Sequence, residues 1–499
     1  AVEQLEIHAM AFAARAALLC VMAILTTAAG PQPPLSSVLA HMRAVNGTPF
    51  NYHIKSTSAA SSGATAYYSE SQGLRFLNRG CTETLCTGTY FDGERSFNVN
   101  INDTMLPRSP EIQYTVRALR LVLSLAFLDP QFTHSGGRIV DEGYVQLDGK
   151  RMRRLLIGDG VSAMTEAYVD PQSWLIGAVG DLDEHDVVFL RDYRRVGPLM
   201  LPFSLARNGE TLERYKTREI VMAPLEAPRG LQFEHTDVSA TVPMDSASAT
   251  PVLPCTVGGV NVKCLIDTGN SGLSISLELA EQLNAPTVGA FEVSGLGHYA
   301  TGVVRTGPLI IGNLRFAEPN FVVLHDIRSY GYDVVVGADV LAQTALLLDP
   351  ARHLATFGAP VPADGDTVGL TYENLVPVIP IRLDETETVL LLDTGDESSI
   401  NLSYDYYRQH PTLFKPTRTQ TVSGVGGSST EVVGDIPQVA IGGFVLPNQV
   451  IGATETLKGT AHGHIGAQVL SHFALYLDYP HSRIVLQARS GDGAVQRGR

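Results

Sequence analysis

Two short carboxylate motifs are the residues of this sequence best suited to chemistry. Asp267-Thr268-Gly269 follows the apolar run Cys264-Leu-Ile, and Asp393-Thr394-Gly395 follows Leu390-Leu-Leu. A carboxylate directly after an apolar strand is costly to bury unless it is hydrogen-bonded or shares a proton. The glycines allow a tight turn that leaves backbone N–H groups near the acids, and the threonine hydroxyls can hold that turn.

The two aspartates predict a reaction only if they meet. If the motifs pack about a pseudo-twofold axis, Asp267 and Asp393 lie close together. Two carboxylates about 3 Å apart do not both ionise readily, so they share one proton and titrate as a unit. One then acts as general base toward water while the other donates a proton to the scissile carbonyl. The pair predicts hydrolysis of peptide bonds, favoured at acidic pH, with no metal and no other cofactor.

The two motifs belong to a longer internal repeat. Each is followed by a glycine-rich turn, an apolar segment around a glycine and a closing strand, in the same order and at similar spacing. The matched segments are 293–297 with 422–426, 333–341 with 462–470, and 345–349 with 474–478. We therefore expect two β-rich units, residues 248–358 and 366–488, that pack as an intramolecular pseudo-dimer.

This pattern resembles the retropepsin-like aspartic peptidases, in particular bacterial aspartyl proteases with tandem units, over residues 248–488. The resemblance implies two β-barrel units and an aspartic-type endopeptidase with Asp267 and Asp393 as its catalytic pair. It also implies residues that support the pair and glycine-tipped flaps that close over substrate. The supporting residues would be Thr268, Gly269, Thr394 and Gly395, and the flap residues Ser294, Gly295, Leu296, Gly297, Ser423, Gly424, Val425 and Gly426.

The residues after each motif leave an alternative function open. The family usually has Ala or Ser directly after Asp-Thr-Gly, whereas this sequence has Asn270 in the first copy and Asp396-Glu397 in the second. Acidic side chains that point inward would raise the pKa of the pair and prevent two-aspartate chemistry, whereas side chains that point to solvent would have little effect. The alternative is a catalytically inactive cell-envelope protein that binds peptides or lipoproteins.

Other candidate sites in the sequence are weaker. His462-Gly-His464 looks like a metal-binding pair, but no cysteine or acid cluster accompanies it, so we expect a structural role. No phosphate-binding loop, His-Glu-x-x-His motif or Ser-His-Asp order is evident. The sequence therefore predicts neither a metal nor a cofactor.

Four cysteines form two local pairs, which is typical of an oxidising compartment. They are Cys81, Cys86, Cys255 and Cys264. We expect a bridge within the first pair. If Gly258-Gly259 is the turn of a hairpin, Cys255 faces Val262 and lies only diagonal to Cys264, which is marginal geometry for a disulfide. A bridge and two buried thiols both remain open for that pair.

The N-terminus resembles an export signal. Residues 1–30 contain Arg15, the apolar run that begins at Ala16, and small residues before Pro31, as in a secretory signal peptide. The apolar run is shorter than the ~20 residues that span a bilayer. We expect an exported protein of the periplasm or cell envelope, with no stable membrane span after cleavage.

Residues 35–235 predict an α+β domain with a curved sheet. Helical periodicity covers 35–45 and 111–127, short alternating runs predict strands, and 223–243 is a predicted linker. The phrases at 91–97, 167–172 and 192–203 weakly resemble periplasmic lipoprotein-carrier domains. That resemblance implies a lipoprotein or acyl chain on a concave apolar face, and a plain β-rich spacer remains the alternative.

The composition sets the outer limits of these hypotheses. The chain has 499 residues, a formal net charge of −15, 44% hydrophobic residues and 17% charged residues. These values are typical of a folded globular protein rather than a disordered one. The acidic balance disfavours nucleic acid as a partner, so a peptide or protein substrate is expected. The fold class predicted is mainly β with an α+β N-terminal domain.

Overall fold

The structure is a computed structural model that describes residues 32–59, 66–82, 85–181, 186–234, 239–455, 461–489 and 495–498. The expected signal peptide, residues 1–30, lies outside these residues. The chain divides into two compact units. Unit 1 comprises Ala1–Thr82, Gly88–Phe97 and Arg108–Ala227, and unit 2 comprises Glu83–Thr87, Asn98–Pro107 and Pro228–Arg499. Three segments of the 35–235 region, 83–87, 98–107 and 228–235, therefore group with unit 2.

The predicted mainly β fold is confirmed. The helices before residue 222 are α1 (Leu35–Asn46) and α2 (Pro110–Leu123). The strands of the same part of the chain are β1 (His53–Ala59), β2 (Ala66–Gln72), β3 (Arg75–Thr82), β4 (Leu85–Phe91), β5 (Ser96–Val99), β6 (Met105–Pro107), β7 (Arg138–Leu147), β8 (Lys150–Gly158), β9 (Thr165–Val169), β10 (Ile176–Asp181), β11 (Asp186–Val196), β12 (Leu199–Arg207) and β13 (Glu210–Val221).

Unit 1 is built on one long sheet. Its strand order is β5-β4-β3-β2-β1-β13-β12-β11-β10-β9-β8-β7, and neighbours from β3 onward along this order run antiparallel. Both helices contribute to one core with β8 and β9, in which Met42, Val122, Leu155 and Val169 are fully buried. This core removes apolar surface from water and thereby holds the helices to the sheet.

Helix α2 is shorter than the periodicity of residues 111–127 predicts. It begins at Pro110, where the missing N–H costs no helical hydrogen bond. It ends at Leu123 because Leu125 adopts a positive φ of 56°, which a right-handed helix does not accommodate. The apolar residues that follow form a short 3-10 turn, Ala126–Leu128.

The first half of unit 2 contains a nine-stranded mixed sheet in the order β18-β19-β22-β17-β23-β16-β15-β20-β21. The elements from residue 240 to 357 are β14 (Ala240–Pro243), β15 (Val252–Val257), β16 (Val260–Ile266), β17 (Leu273–Ser276), α3 (Leu277–Gln282), β18 (Thr287–Ser294), β19 (His298–Arg305), β20 (Leu309–Ile311), β21 (Leu314–Phe316), β22 (Asn320–Leu324), β23 (Val334–Val336), α4 (Ala338–Leu341), β24 (Leu346–Asp349) and β25 (Leu354–Phe357). Strand β14 occupies the end of the predicted linker and pairs with β25.

The second half of unit 2 contains a sheet in the order β27-β28-β29-β34-β30-β33-β32-β31, with β28 also paired to β32. Its elements are β26 (Asp366–Gly369), β27 (Thr371–Glu373), β28 (Val376–Leu383), β29 (Thr386–Leu392), β30 (Ile400–Ser403), α5 (Tyr404–Gln409), β31 (Pro416–Gly424), β32 (Gly427–Ile441), β33 (Phe444–Thr454), β34 (Gly463–Ile465), α6 (Ala467–Leu470), β35 (Phe473–Asp478), β36 (Arg483–Ala488) and β37 (Gln496–Arg497).

The two halves place equivalent strands next to their Asp-Thr-Gly motifs. Strand β16 pairs in parallel with β23, and β29 pairs in parallel with β34. Strands β17 and β30 each pair in parallel with one neighbour and antiparallel with another. Parallel pairs are normally buried on both faces, and Cys264, Leu265, Ile266 and the three valines of β23 are all buried.

A third sheet joins the halves of unit 2. Its order is β14-β25-β24-β35-β36-β26, and β24 of the first half pairs antiparallel with β35 of the second. One hydrophobic core runs through both halves and includes Leu346, Leu348, Leu475 and Leu477. The pairing fixes the distance between the halves and therefore between their motif loops.

Among the described residues, no helix combines the length and apolarity needed to cross a membrane.

Candidate active site

Each aspartate sits where a buried strand ends. The backbone N–H of Asp267 donates to the carbonyl of Val336 at 2.9 Å, and that of Asp393 donates to the carbonyl of Ile465 at 3.0 Å. These bonds extend the parallel pairs β16–β23 and β29–β34 by one residue. Both carboxylates are partly buried, so they are held by the sheets and still reach solvent.

The threonines of the two motifs hold the loops together. The backbone N–H of Thr268 donates to Oγ1 of Thr394 at 3.1 Å, and the N–H of Thr394 donates to Oγ1 of Thr268 at 3.0 Å. Each hydroxyl in turn donates across the interface, to the carbonyl of Leu392 at 2.5 Å and to that of Ile266 at 2.8 Å. Both threonines are almost completely buried, so these four bonds are shielded from water.

The glycines of the motifs permit the aspartates to approach. The N–H of Gly269 donates to Oδ1 of Asp267 at 2.7 Å, and the N–H of Gly395 donates to Oδ1 of Asp393 at 3.0 Å. A Cβ on Gly269 would lie 2.6 Å from Oδ2 of Asp393, and one on Gly395 would lie 2.7 Å from Oδ1 of Asp267. Each carboxylate therefore packs against the glycine of the opposite loop, in space that a side chain would fill.

The surroundings of the two carboxylates raise the pKa of both. Burial and the negative charge of Asp393 raise the pKa of Asp267 well above its usual range, and Asp267 donates a hydrogen bond to Asp393. Burial also raises the pKa of Asp393, while His464 and the bond from Asp267 act in the opposite direction. Both carboxyl groups therefore have raised pKa values, as expected of two neighbouring buried acids that titrate as a unit.

The two acidic residues after the second motif, Asp396 and Glu397, have different surroundings. Glu397 is exposed. The carboxylate of Asp396 accepts bonds from the Ser398 N–H at 2.9 Å and the Ser398 hydroxyl at 2.5 Å, and its Oδ2 lies 3.0 Å from Nε2 of His464. The backbone N–H of Asp396 donates to Oδ1 of Asp393 at 3.1 Å. One acid thus lies at the surface and the other carries its own partners.

The predicted flap residues lie at the tips of two hairpins. In the first hairpin, β18–β19, Ser294 pairs with His298 and Gly295-Leu296-Gly297 forms the turn. In the second, β31–β32, Ser423 pairs with Ser428, Gly424 pairs with Gly427, and Val425-Gly426 forms the turn. The tips touch: the N–H of Gly297 donates to the carbonyl of Val425 at 3.4 Å. A Cβ on Gly297 would meet the carbonyl oxygen of Gly426 at 2.0 Å, so this approach needs glycine.

An apolar patch extends from the first hairpin toward the pair. Its buried members are Val252, Leu265, Val293, Leu324, Ile327 and Val335, with Phe291, Tyr299, Val322, Tyr332 and Val425 packed against them. Burial and the charge of Asp267 raise the pKa of Tyr332, which indicates that this side chain lies within electrostatic reach of the carboxylates. Phe291, Tyr299 and Tyr332 are its partly exposed aromatic members.

A segment far away in sequence supports the first motif loop, which sequence reasoning did not foresee. Asn100 donates from Nδ2 to the carbonyl of Ser271 at 2.9 Å and to Oδ1 of Asp339 at 2.7 Å. Asn102 donates to Oδ2 of Asp339 at 2.6 Å. Asp339 is completely buried, and its burial raises its pKa. No local pattern in residues 98–107 indicates this long-range contact.

His464 was also missed as a neighbour of the pair. Of the two histidines in His462-Gly-His464, His462 has a structural setting, since it stacks on Tyr406 at 4.1 Å between ring centres and bonds Thr388. His464 instead faces Asp396. The sequence did contain a signal for this contact: Asp396 and His464 occur only in the second copy, and the first copy has Asn270 and Val335 at the equivalent positions. Among the described residues, no group of three or more His, Cys, Asp or Glu side chains could hold a metal ion.

The four cysteines among the described residues are all disulfide-bonded. Cys255 and Cys264 form a disulfide with a Cα–Cα distance of 5.9 Å. In the β15–β16 ladder Cys255 faces Val262, so the bridge is diagonal across the hairpin. Cys81 and Cys86 are also disulfide-bonded.

Comparison with known proteins gives one family match, over part of the chain. Residues 253–340 match the family model described as aspartyl protease; they contain the first motif loop and the first hairpin. Among solved structures, an aspartic proteinase from Irpex lacteus is 15% identical, over 52% of this chain and 99% of that chain, with a TM-score of 0.36. No curated protein matches the chain. The family match supports an aspartyl protease family, and with it a peptidase-like function.

Proposed function

We propose that this protein is an aspartic-type endopeptidase in which Asp267 and Asp393 together activate water. The observation that carries the proposal is the pair itself: two carboxylates with raised pKa values, on separate loops that reciprocal threonine bonds hold together. The match of residues 253–340 to an aspartyl protease family supports the same chemistry.

We assign Asp393 the role of general base, which takes a proton from the attacking water, and Asp267 the role of general acid, which gives its proton to the carbonyl oxygen of the scissile bond. The tetrahedral intermediate collapses when Asp393 passes its proton to the amide nitrogen, which leaves as an amine. Asp267 takes back a proton from a hydroxyl of the intermediate. The raised pKa of Asp267 keeps its proton in place over the acidic to weakly acidic range, which is where activity is expected.

The substrate is an extended peptide that lies between the pair and the hairpin tips. A peptide in this position can pair as an added strand with the hairpins, which provides binding that does not depend on sequence. The apolar patch around Val293, Phe291 and Tyr332 supports a preference for apolar side chains on the first-half side of the bond.

Export to an oxidising compartment, the periplasm or cell envelope, is part of the proposal. It is supported by the disulfide between Cys255 and Cys264, because such bonds persist mainly outside the cytosol. The lipoprotein or acyl-chain ligand of unit 1 stays a prediction.

The test is cleavage of a mixed peptide pool by the full-length protein from about pH 3 to 7, with new termini read by mass spectrometry. Asp267→Asn and Asp393→Asn should each lower the rate about 10²- to 10⁴-fold. Asp435→Asn, at an exposed position of β32, is the matched control and should leave cleavage unchanged. A folded protein that binds peptides and cleaves none at any pH would instead favour a non-catalytic binding protein.

A further inference from the structure

The loop after the second motif carries an acid and a histidine that the first half lacks. In the parallel ladders, His464 is opposite Leu391 and Val335 is opposite Leu265. Because Asp393 follows Leu392 and Asp267 follows Ile266, His464 and Val335 occupy equivalent positions. Asp396 and Asn270 are likewise equivalent, each three residues after its aspartate. An acid and a histidine thus stand where the first half has asparagine and valine. This contact of Asp396 with His464, an ion pair when the histidine is protonated, is the charged pair.

The charged pair is connected to the catalytic carboxylate by a short chain of contacts. Nε2 of His464 lies 3.0 Å from Oδ2 of Asp396, and both side chains are largely buried, at 16% and 21% exposure. The backbone N–H of Asp396 reaches Oδ1 of Asp393 at 3.1 Å, and Ser398 holds the Asp396 carboxylate from the other side. The side chain of Asp396 is therefore fixed between the histidine and the turn that bonds Asp393.

We propose that His464 is a positioning residue that makes the two catalytic carboxylates unequal. Resting on the proposed function, this role follows from position: a protonated His464 offsets the negative charge of Asp396, whose backbone N–H bonds Asp393, so that Asp393 is left as the carboxylate that ionises first. Without such a difference in surroundings, two carboxylates in equivalent loops have equal pKa values, and neither holds the shared proton in preference to the other. The charged pair thereby selects Asp393 as general base and Asp267 as general acid.

The electrostatic influences on Asp393 agree with this role. Asp396 raises the pKa of Asp393 and His464 lowers it, so removal of the histidine alone leaves an uncompensated negative charge beside the base. Both members of the charged pair also act on the pKa of Glu431, in β32, with Asp396 raising it and His464 lowering it. The other titratable groups around these residues are Asp267, Tyr332, Glu397, Glu431 and Tyr479.

The experiment compares pH profiles of kcat/KM for four full-length proteins: wild type, His464→Val, Asp396→Asn and the double variant. In such a profile, kcat/KM rises with pH as the two aspartates together lose the first of their two protons, and the midpoint of that rise is the quantity compared. His464→Val should move that midpoint upward by about 1 pH unit, since a compensating charge nearby is lost. The double variant gives the second half the same Asn and Val that the first half carries, and its midpoint should return toward the wild-type value.

A merely structural role predicts a different result. His464→Val would then lower kcat at every pH and leave the midpoint in place, and the double variant would be no better than the single one. Either finding overturns the proposal. Urea denaturation of each variant shows that the compared proteins are folded, and Asp396→Asn on its own should move the midpoint down or leave it unchanged.

A titration that needs no turnover separates this proposal from the peptidase function. The carboxyl ¹³C signal of Asp393, assigned by its absence in Asp393→Asn, should titrate at higher pH in His464→Val than in wild type. A shifted titration without cleavage would overturn the peptidase function alone. Cleavage that depends on both aspartates, with an unshifted titration, would overturn the role of His464 alone.

Discussion

Oδ2 of Asp393 lies 2.6 Å from the point where a Cβ on Gly269 would stand. No ordinary van der Waals contact between a carbon and an oxygen is that short, so any side chain at Gly269 must displace the carboxylate. The same holds for Gly395 and Asp267, at 2.7 Å. The two aspartates can thus lie this close because glycine occupies both positions that face them.

Gly269→Ala should therefore lower peptide cleavage about 10²-fold, because a displacement of about 1 Å between reacting groups has effects of that size. The control is Gly369→Ala, where a Cβ would meet no atom within 4 Å. Both proteins are compared by kcat/KM on one peptide. Equal activity of the two variants would show that the carboxylates do not need this approach.

Thr268→Val should destabilise unit 2. The substitution keeps the shape of the side chain and removes its hydroxyl, so the N–H of Thr394 loses an acceptor and the carbonyl of Leu392 loses a donor, both away from water. The expected loss is about 3 kcal/mol in the free energy of unfolding, measured by urea denaturation. Thr268→Ser keeps the hydroxyl and should retain most of the stability. A loss of stability in Thr268→Ser without one in Thr268→Val would show that the methyl group, rather than the hydrogen bonds, matters.

Much of the fold could be predicted from sequence because its signals are local. Alternating apolar residues between 35 and 235 predicted short strands, and the structure has such strands, for example Thr165–Val169. The apolar runs before the two motifs predicted strands that end at Asp267 and Asp393, and the structure brings these loops together. Helix α2 was predicted too long because its apolar spacing continues into a 3-10 turn after Leu125 adopts a left-handed conformation.

What the sequence did not reveal depends on register between distant strands. The contact of His464 with Asp396 exists because β34 lies parallel to β29, and no spacing rule for metal or acid–base motifs connects those two residues. The same is true of Asn100 and Asp339, which are separated by 239 residues. Such contacts are determined by which strands and loops pack together, so local periodicity carries no information about them.

The raised pKa of Asp267 gives the stability of unit 2 a defined dependence on pH. A carboxyl whose folded pKa lies above its unfolded value, about 3.9, contributes stability that is fully present below that value. The contribution is lost as the pH rises through the folded pKa. Asp267→Asn should therefore gain stability relative to wild type between about pH 4 and 7, as measured by urea denaturation at each pH.

The matched comparison for this pH dependence is Asp245→Asn. Lys263, at 2.8 Å, lowers the pKa of Asp245, so its contribution is present above the unfolded pKa and lost as the pH falls through the folded one. The stability difference from wild type should then change with pH in the opposite direction to that of Asp267→Asn. Parallel pH trends for the two variants would contradict the raised pKa of Asp267.

Asn100 should be required for the stability of unit 2 even though it lies far in sequence from its partners in the first half of that unit. Its side-chain amide donates to the buried Asp339 and to the carbonyl of Ser271, in the first motif loop. Asn100→Ala removes both donors and should cost about 3 kcal/mol in the free energy of unfolding, because a buried carboxylate loses a partner. Asn313→Ala, at an exposed position with one bond to the carbonyl of Ser239, should change it by less than about 0.5 kcal/mol.

Asn100→Asp separates the two functions of this side chain. It keeps Oδ1, which accepts the N–H groups of Asn102 and Thr104, and replaces the donor toward Asp339 with a second carboxylate. Two acids that face each other repel most when both are ionised, so the destabilisation should be larger at neutral than at acidic pH. Urea denaturation at pH 4 and pH 7 measures it. A loss independent of pH would show that Asn100 acts through the shape of its own loop, and the contact with Asp339 would then contribute little to holding the first motif loop in place.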